Sequence, residues 1–267
     1  MKKSMKQTNL EKKLLDSLSG RALGIAEFIL NDEEIQLLQD YANTVSIKRL
    51  GYNDHGPVHM RKAALYALTM FDLLAAAGIR FNLQTEGTGE LEDSRVVVLV
   101  ASLLHDVGMT VGRASHEYMS LILAKPIIEK ILNNFYPEDA AKRVIIRSMI
   151  FEGIFGHMAN RSIESLEAGL VLVGDGCDME RGRARITSLM TDKPRVGDIH
   201  KYSSTAIQKV IISPGEEKPI RILVEMNQSA GFFQVEEVLF SKISFSPVKP
   251  YIELYAGVKD SDMMKYL

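Results

Sequence analysis

Hydrophobic residues recur at helical spacing over most of the first ~195 residues. Residues 31–34 are typical of a helix N-cap, and the apolar positions that follow at intervals of three and four continue until Gly51. A second helix begins at Gly56-Pro57, where proline costs nothing because the first N–H groups of a helix have no intrahelical partner. Residues 84–90 contain several helix-breaking residues and predict a loop. Further helices are predicted at 94–104, 116–133, 137–150 and 163–173.

The pattern changes after Thr205, where stretches rich in isoleucine and valine replace the helical spacing. Strands are predicted at 206–213, 219–226 and 251–256. Residues 214–217, Pro-Gly-Glu-Glu, predict a hairpin turn between the first two strands, and helical spacing returns over 233–243. The order strand, strand, helix, strand predicts a small α+β unit.

The fold class predicted is therefore mainly α, with a helical domain over 1–195 and a small α+β domain over 200–267, joined by a linker at 194–197. The smaller unit has eight lysines and arginines against eight acidic residues, so it has no charge bias. A three-stranded sheet leaves an edge that a second subunit could pair with, which predicts a homo-oligomer. No metal-binding type of residue recurs there, and we expect this region to add nothing to a metal site.

Composition narrows the class of protein further. Hydrophobic residues make up 46% and charged residues 25% of the chain, as in an ordinary globular protein, and the net charge is −2. This charge does not favour a stable nucleic-acid partner. A single cysteine, Cys177, excludes an internal disulfide, and no secretion signal is recognisable, so we expect a cytoplasmic protein. The most apolar stretch, 96–104, is far shorter than the roughly 20 residues that span a bilayer, so no membrane partner is expected.

Five of the six histidines lie in or beside the predicted helices. His59 is on the apolar stripe of its helix, and His105 with Asp106 directly follows the apolar run 96–104. Asp175 follows a similar run. A single histidine on an apolar face is more often a hydrogen-bonded core residue than a ligand. The prediction of a metal site therefore depends on these histidines and aspartates taken together. Because buried imidazoles and carboxylates need partners, the pattern predicts a divalent cation between them. His200 is interpreted as a surface or linker residue.

Three blocks of sequence resemble the signature of the HD superfamily of metal-dependent phosphohydrolases. They are Asp-His-Gly-Pro-Val-His at 54–59, Leu-Leu-His-Asp-Val-Gly at 103–108 and Val-Gly-Asp at 173–175. The resemblance extends over about 50–185. It implies a helical bundle that binds one divalent cation through His59, His105, Asp106 and Asp175.

The resemblance also implies a site for a second ion. His116 and His157 lie in blocks similar to those that supply further ligands in dinuclear members, with Asp106 bridging the two ions. The alternative is that both histidines are solvated or capping groups. Imidazole with carboxylate favours Mn, Fe, Ni or Zn over Mg, and we expect one or two ions per chain.

The expected mechanism is attack by metal-activated water on a phosphoryl group. By resemblance to cyclic-nucleotide phosphodiesterases, His55 is the predicted general acid, and a supporting or capping role is the alternative. Lys62, Arg113 and Arg181 are the predicted contacts of the substrate phosphate. Asp178 is expected to support a ligand rather than to bind metal.

The sequence departs from the family at two positions. Met109 stands where many relatives have lysine or histidine, and Met158 follows His157 where cyclic-di-GMP phosphodiesterases have a second histidine. The predicted function is hydrolysis of a phosphomonoester or phosphodiester of a nucleotide or another small organic phosphate. Two alternatives stay open, a dinuclear-iron oxygenase and a non-catalytic nucleotide sensor.

Overall fold

The computed structural model describes residues 3–180, 203 and 205–267, and most of them are helical. The helices of the first part are α1 (Met5–Asp16), α2 (Gly20–Asn31), α3 (Glu33–Thr44), α4 (Pro57–Ala76), α5 (Asn82–Thr85), α6 (Leu91–Leu104), α7 (His116–Phe135), α8 (Ala140–Gly156) and α9 (Leu166–Cys177). A π-helical turn, Val45–Arg49, extends α3, and a 3₁₀ turn, Val107–Thr110, follows α6. The predicted mainly α fold is confirmed.

Local sequence explains where the helices begin. The Asp32 side chain accepts a hydrogen bond of 3.2 Å from the backbone N–H of Ile35 and so caps α3, as its sequence predicted. Helix α8 begins at Ala140 rather than at the predicted 137 because Asp139 caps it through the N–H of Lys142. The predicted loop at 84–90 is largely irregular, but its first two residues belong to the short helix α5.

The C-terminal region forms a four-stranded sheet. Its strands are β1 (Ile207–Pro214), β2 (Ile220–Met226), β3 (Ile252–Val258) and β4 (Met264–Lys265), in that spatial order. The β1–β2 and β3–β4 pairs are antiparallel, whereas β2 and β3 are parallel. A helical crossover joins the parallel strands, as their direction requires. The crossover consists of α10 (Gly231–Gln234), a π-helical turn (Val235–Phe240) and α11 (Ser241–Phe245). The predicted strand, strand, helix, strand order is observed, with β4 in addition.

One hydrophobic core runs through both regions. Alternate residues of β2 are buried, and they belong to the same cluster as Leu14 of α1 and Val173 of α9. Leu239, in the crossover, is also part of this cluster and is completely buried. The predicted linker at 194–197 lies outside the described residues, so the division into two domains stays a prediction.

Helices α4 and α9 approach each other closely, which brings together the residues of the site. A Cβ atom on Gly174 would lie 2.8 Å from the carbonyl oxygen of Ala63 and 2.9 Å from the Cβ of Ala67. Only glycine allows this approach, so the last turn of α9 lies directly against Ala63 and Ala67 of α4. None of the described helices is long and apolar enough to cross a membrane.

Candidate metal centre

Six buried side chains from five helices converge at one place. Each lies at or near the end of a helix: His59 in the first turn of α4, His105 and Asp106 directly after α6, His116 at the start of α7, His157 directly after α8 and Asp175 in the last turn of α9. At most 6% of any of these residues is exposed. Because the apolar helices pack side by side, their polar ends meet in the same part of the molecule.

The first half of the cluster is built around the Nε2 atom of His59. This atom lies 3.0 Å from Oδ1 of Asp175, 3.3 Å from Oδ2 of Asp106 and 3.2 Å from Nε2 of His105. The His105 Nε2 atom in turn lies 3.4 Å from Oδ2 of Asp106 and 3.8 Å from Oδ1 of Asp175. Two nitrogens and two carboxylate oxygens thus surround one point.

The second half of the cluster uses the other oxygen of Asp106. Oδ1 of Asp106 lies 3.2 Å from Nε2 of His116 and 3.5 Å from Nε2 of His157. The two imidazole nitrogens are 3.0 Å apart. Asp106 therefore presents one oxygen to each half, which is the arrangement of a bridging carboxylate.

The four clustered histidines share one orientation. In each, Nδ1 contacts an acceptor outside the cluster: Oδ2 of Asp178 for His59, and the carbonyl oxygens of Ser102, Arg113 and Ile154 for His105, His116 and His157, at 2.6–3.0 Å. Since these partners accept hydrogen bonds, Nδ1 of a neutral ring carries the proton and Nε2 offers its lone pair. Lone pairs facing each other beside two carboxylates repel, and a cation between them removes the repulsion. The donor set therefore fits a divalent metal ion.

The electrostatic surroundings favour the protonation states that bind metal. Burial raises the pKa of Asp106, but positive charge on His105 and His55 and hydrogen bonds from the cluster histidines bring that pKa well below its usual value, and a bound cation would take the place of this positive charge. Burial likewise opposes ionisation of Asp175, whose pKa is nevertheless well below the usual value because of the Lys242 ammonium group and His59. Burial lowers the pKa of His157 to about 4. Near neutral pH both carboxylates are thus ionised and His157 is neutral.

His55 lies at the edge of this cluster. Helix α4 begins only at Pro57, so His55 lies just before the helix that carries His59. Its Nδ1 atom lies 2.7 Å from the carbonyl oxygen of Asn53 and 2.9 Å from Oγ of Ser46, which the π-helical turn after α3 places there. The ring centroids of His55 and His59 are 5.8 Å apart.

A cavity of about 230 Å³ opens beside the cluster. Its described lining consists of His55, Asp106, Arg113, His157, Met158, Ala159, Asp175, Glu237, Val238, Ser241 and Lys242. Of the predicted phosphate contacts, the structure brings Arg113 to the cavity but not Lys62. The Lys62 ammonium group instead forms ion pairs of 2.7 Å with both Asp178 and Glu180. Arg181 and His200 lie outside the described residues.

The C-terminal region contributes to the site, so our expectation that it adds nothing is wrong. Its residues Glu237, Val238, Ser241 and Lys242 line one wall of the cavity. The Lys242 ammonium group donates hydrogen bonds to Oδ2 of Asp175 and, over 2.8 Å, to the carbonyl oxygen of His157. The sequence carries no signal for this contact, because nothing distinguishes Lys242 from the other lysines of its region.

Fold and site together define a mainly α-helical protein with a buried histidine–aspartate cluster that could hold a divalent metal ion. A protein of Methanocaldococcus jannaschii, whose name says only that it is uncharacterized, is 36% identical over 245 residues, which cover 92% of each chain. Our chain and the M. jannaschii protein belong to the same family. No family model and no solved structure matches the chain.

Proposed function

We propose that the protein is a cytoplasmic metal-dependent phosphohydrolase of the HD type, which hydrolyses a phosphoester of a nucleotide or another small organic phosphate. The observation that carries the proposal is the division of the cluster into two halves that share Asp106, with each of the four clustered histidines presenting Nε2 to the centre. The order of these residues along the chain is that of the HD signature, which supports the same function.

The residues divide into two sets of ligands. His59, His105, Asp106 and Asp175 would hold one ion, and His116, His157 and Asp106 would hold a second. Imidazole with carboxylate suits Mn, Fe, Ni or Zn. An ion of this kind would supply Lewis acidity toward a phosphoryl oxygen and would lower the pKa of water that acts as the nucleophile.

His55 is the group we assign to proton transfer. The carbonyl oxygen of Asn53 can only accept a hydrogen bond, so Nδ1 of His55 carries a proton and Nε2 is the nitrogen that gains or loses one. A protonated His55 at the cavity wall would donate that proton to the leaving oxygen of the substrate. Arg113, on the same cavity, would contact a phosphoryl oxygen.

The size of the cavity limits the substrate. Its volume of about 230 Å³ is smaller than the roughly 300–1,000 Å³ typical of pockets that enclose drug-sized ligands. The described walls therefore suit the phosphate group and its immediate neighbours, and they favour a small phosphoester as the substrate.

Elemental analysis and a phosphatase screen test the proposal. We expect the purified protein to contain one or two equivalents of Mn, Fe, Ni or Zn per chain and to release phosphate from at least one nucleotide or small phosphoester. Protein stripped with a chelator is the control, and metal should restore its activity. Folded protein that neither retains nor takes up metal contradicts the metal centre. Loaded protein that hydrolyses no ester contradicts only the phosphohydrolase.

The shared carboxylate also favours a second candidate, a dinuclear-iron oxygenase. Iron held by the two halves that share Asp106 would supply oxygen chemistry as well as hydrolysis. Oxygen consumption and the visible spectrum of the iron-loaded protein distinguish the two functions. An oxygenase should consume oxygen with its substrate and lose activity when Mn or Ni replaces iron, whereas a phosphohydrolase should not need oxygen.

A further inference from the structure

Lys242 approaches the cluster from outside the helices that carry the candidate ligands. It is the second residue of α11, and its aliphatic stem packs on Gly176 of α9, where an added Cβ would lie 3.0 Å from Cδ of Lys242. Only 12% of the Lys242 side chain is exposed. Gly176 thus leaves the space through which the lysine reaches Asp175.

Its ammonium group joins the two halves of the cluster on the cavity side. Lys242 bonds Oδ2 of Asp175, whereas Oδ1 of the same carboxylate faces His59. It also bonds the carbonyl oxygen of His157, whose ring belongs to the second half. An ammonium group has three N–H donors, so these two acceptors leave a third donor at the wall of the cavity.

The charges of the described lining indicate which kind of ligand this N–H donor would bind. One divalent ion would offset Asp106 and Asp175, and Glu237 is the remaining carboxylate of the described wall. Lys242 and Arg113 then make the loaded cavity electropositive. An ammonium group beside a cation site weakens cation binding by Coulomb repulsion, and an anionic ligand offsets that repulsion.

We propose that Lys242 is a substrate-binding residue, supplied by the C-terminal region, whose third N–H contacts an anionic oxygen of the substrate. The inference rests on the proposed function and deepens it, because it assigns an electropositive wall to an oxyanion such as a phosphoryl group. It also gives the C-terminal region a part in substrate recognition.

Inorganic phosphate is the probe for this inference, titrated calorimetrically into the metal-loaded full chain. We expect Lys242→Met to weaken phosphate binding by about 10- to 100-fold, the usual loss for a charge-assisted hydrogen bond. Metal content should stay at the wild-type level or rise, because a repulsive charge is removed. Lys259→Met, the same change at an exposed lysine of the same region, should bind phosphate like the wild type.

Lys242→Gln covers the possibility that the methionine variant fails to fold, since glutamine keeps N–H donors for Asp175 and His157 but removes the charge. Wild-type phosphate affinity in either folded variant overturns the inference. So does a weakened affinity that returns to the wild-type value once metal content is restored, because Lys242 would then only position Asp175. Phosphate binding that depends on Lys242 in a protein that hydrolyses no ester would contradict the phosphohydrolase and leave the role of Lys242 intact.

Discussion

His59 shows at the scale of one residue how the site is prepared. Its two ring nitrogens have separate partners, since Nδ1 contacts Asp178 while Nε2 faces the cluster. Lys62 in turn forms an ion pair with Asp178. Burial lowers the pKa of Lys62, but Asp178 and Glu180 more than offset this effect and hold that pKa above its usual value, so the lysine stays charged. The ring is thereby fixed in the orientation and tautomer that bind a metal.

The different surroundings of His59 and His55 lead to a test with a pair of variants. His59→Ala should lower metal content and abolish activity together, because it removes a nitrogen from the centre of the first half. His55→Ala should keep wild-type metal content and lower turnover by about 10²–10⁴-fold, the usual worth of a positioned acid or base. Elemental analysis and steady-state kinetics measure both effects.

The leaving group provides the control for the role of His55. A nitrophenyl phosphate releases an anion that needs little protonation, so His55→Ala should slow its hydrolysis less than that of an alkyl phosphate. If the variant loses metal, or if both substrates slow equally, His55 is a supporting residue of the cluster and the proton-transfer role is wrong.

At the scale of elements, the start of α7 depends on one glycine. A Cβ atom on Gly108 would lie 2.0 Å from the carbonyl oxygen of His116 and 2.4 Å from the backbone nitrogen of Ser120. The N–H of Gly108 also donates to Oγ of Ser120, which itself donates to the carbonyl oxygen of His105. These contacts hold the first turn of α7, and with it His116, against the end of α6.

We therefore expect Gly108→Ala to displace His116 and to weaken the second half of the cluster before the first. The free energy of unfolding should fall by about 1–3 kcal/mol, as for other overpacked sites, and metal content should drop toward one equivalent. Thermal unfolding and elemental analysis measure the two effects. Gly89→Ala is the control, because its added carbon would meet its nearest neighbour at 3.1 Å and lies outside the cluster. Unchanged metal content in Gly108→Ala would show that α7 is held by other contacts.

At the scale of the whole molecule, the continuous core couples the sheet region to the helices. Leu239 is completely buried and lies against Gly176 of α9, one position after the candidate ligand Asp175. Leu239→Ala should lower the free energy of unfolding of the whole chain by about 2–5 kcal/mol, the usual loss for a buried leucine. Phe245→Ala is the control in the same crossover, since Phe245 is 50% exposed.

Denaturant unfolding followed by circular dichroism tests this coupling. One transition that shifts as a unit in Leu239→Ala is expected of a shared core. Two transitions, of which only one responds to the substitution, would instead support independent domains at 1–195 and 200–267.

Homo-oligomerisation through the C-terminal region also stays a prediction, and light scattering would test it. The N–H of Val210 in β1 donates to Glu180, so at that position the β1 edge is already occupied.

Much of the secondary structure could be predicted from short stretches of the sequence. The cap at Asp32, the proline at the first position of α4 and the spacing of apolar residues are local features of the chain, so the helices could be predicted from the sequence. His59, His105, Asp106 and Asp175 could be named for a related reason, whereas His116 and His157 were named only through the resemblance to dinuclear HD proteins. Histidine is rare in this chain, and apolar helices leave their polar residues at their ends, where His105 and Asp175 lie.

The tertiary structure decided which polar groups meet. Lys242 reaches Asp175 across 67 positions of the chain, and a lysine in a mixed-charge region carries no local sign of such a contact. Lys62 was expected at the phosphate, but Asp178 and Glu180 compete for its ammonium group and hold it behind His59. Residue type and spacing determine which side chains are suited to bind metal or phosphate. Distances between helices determine which of them reach the cavity, because charges pair with the nearest partner in space.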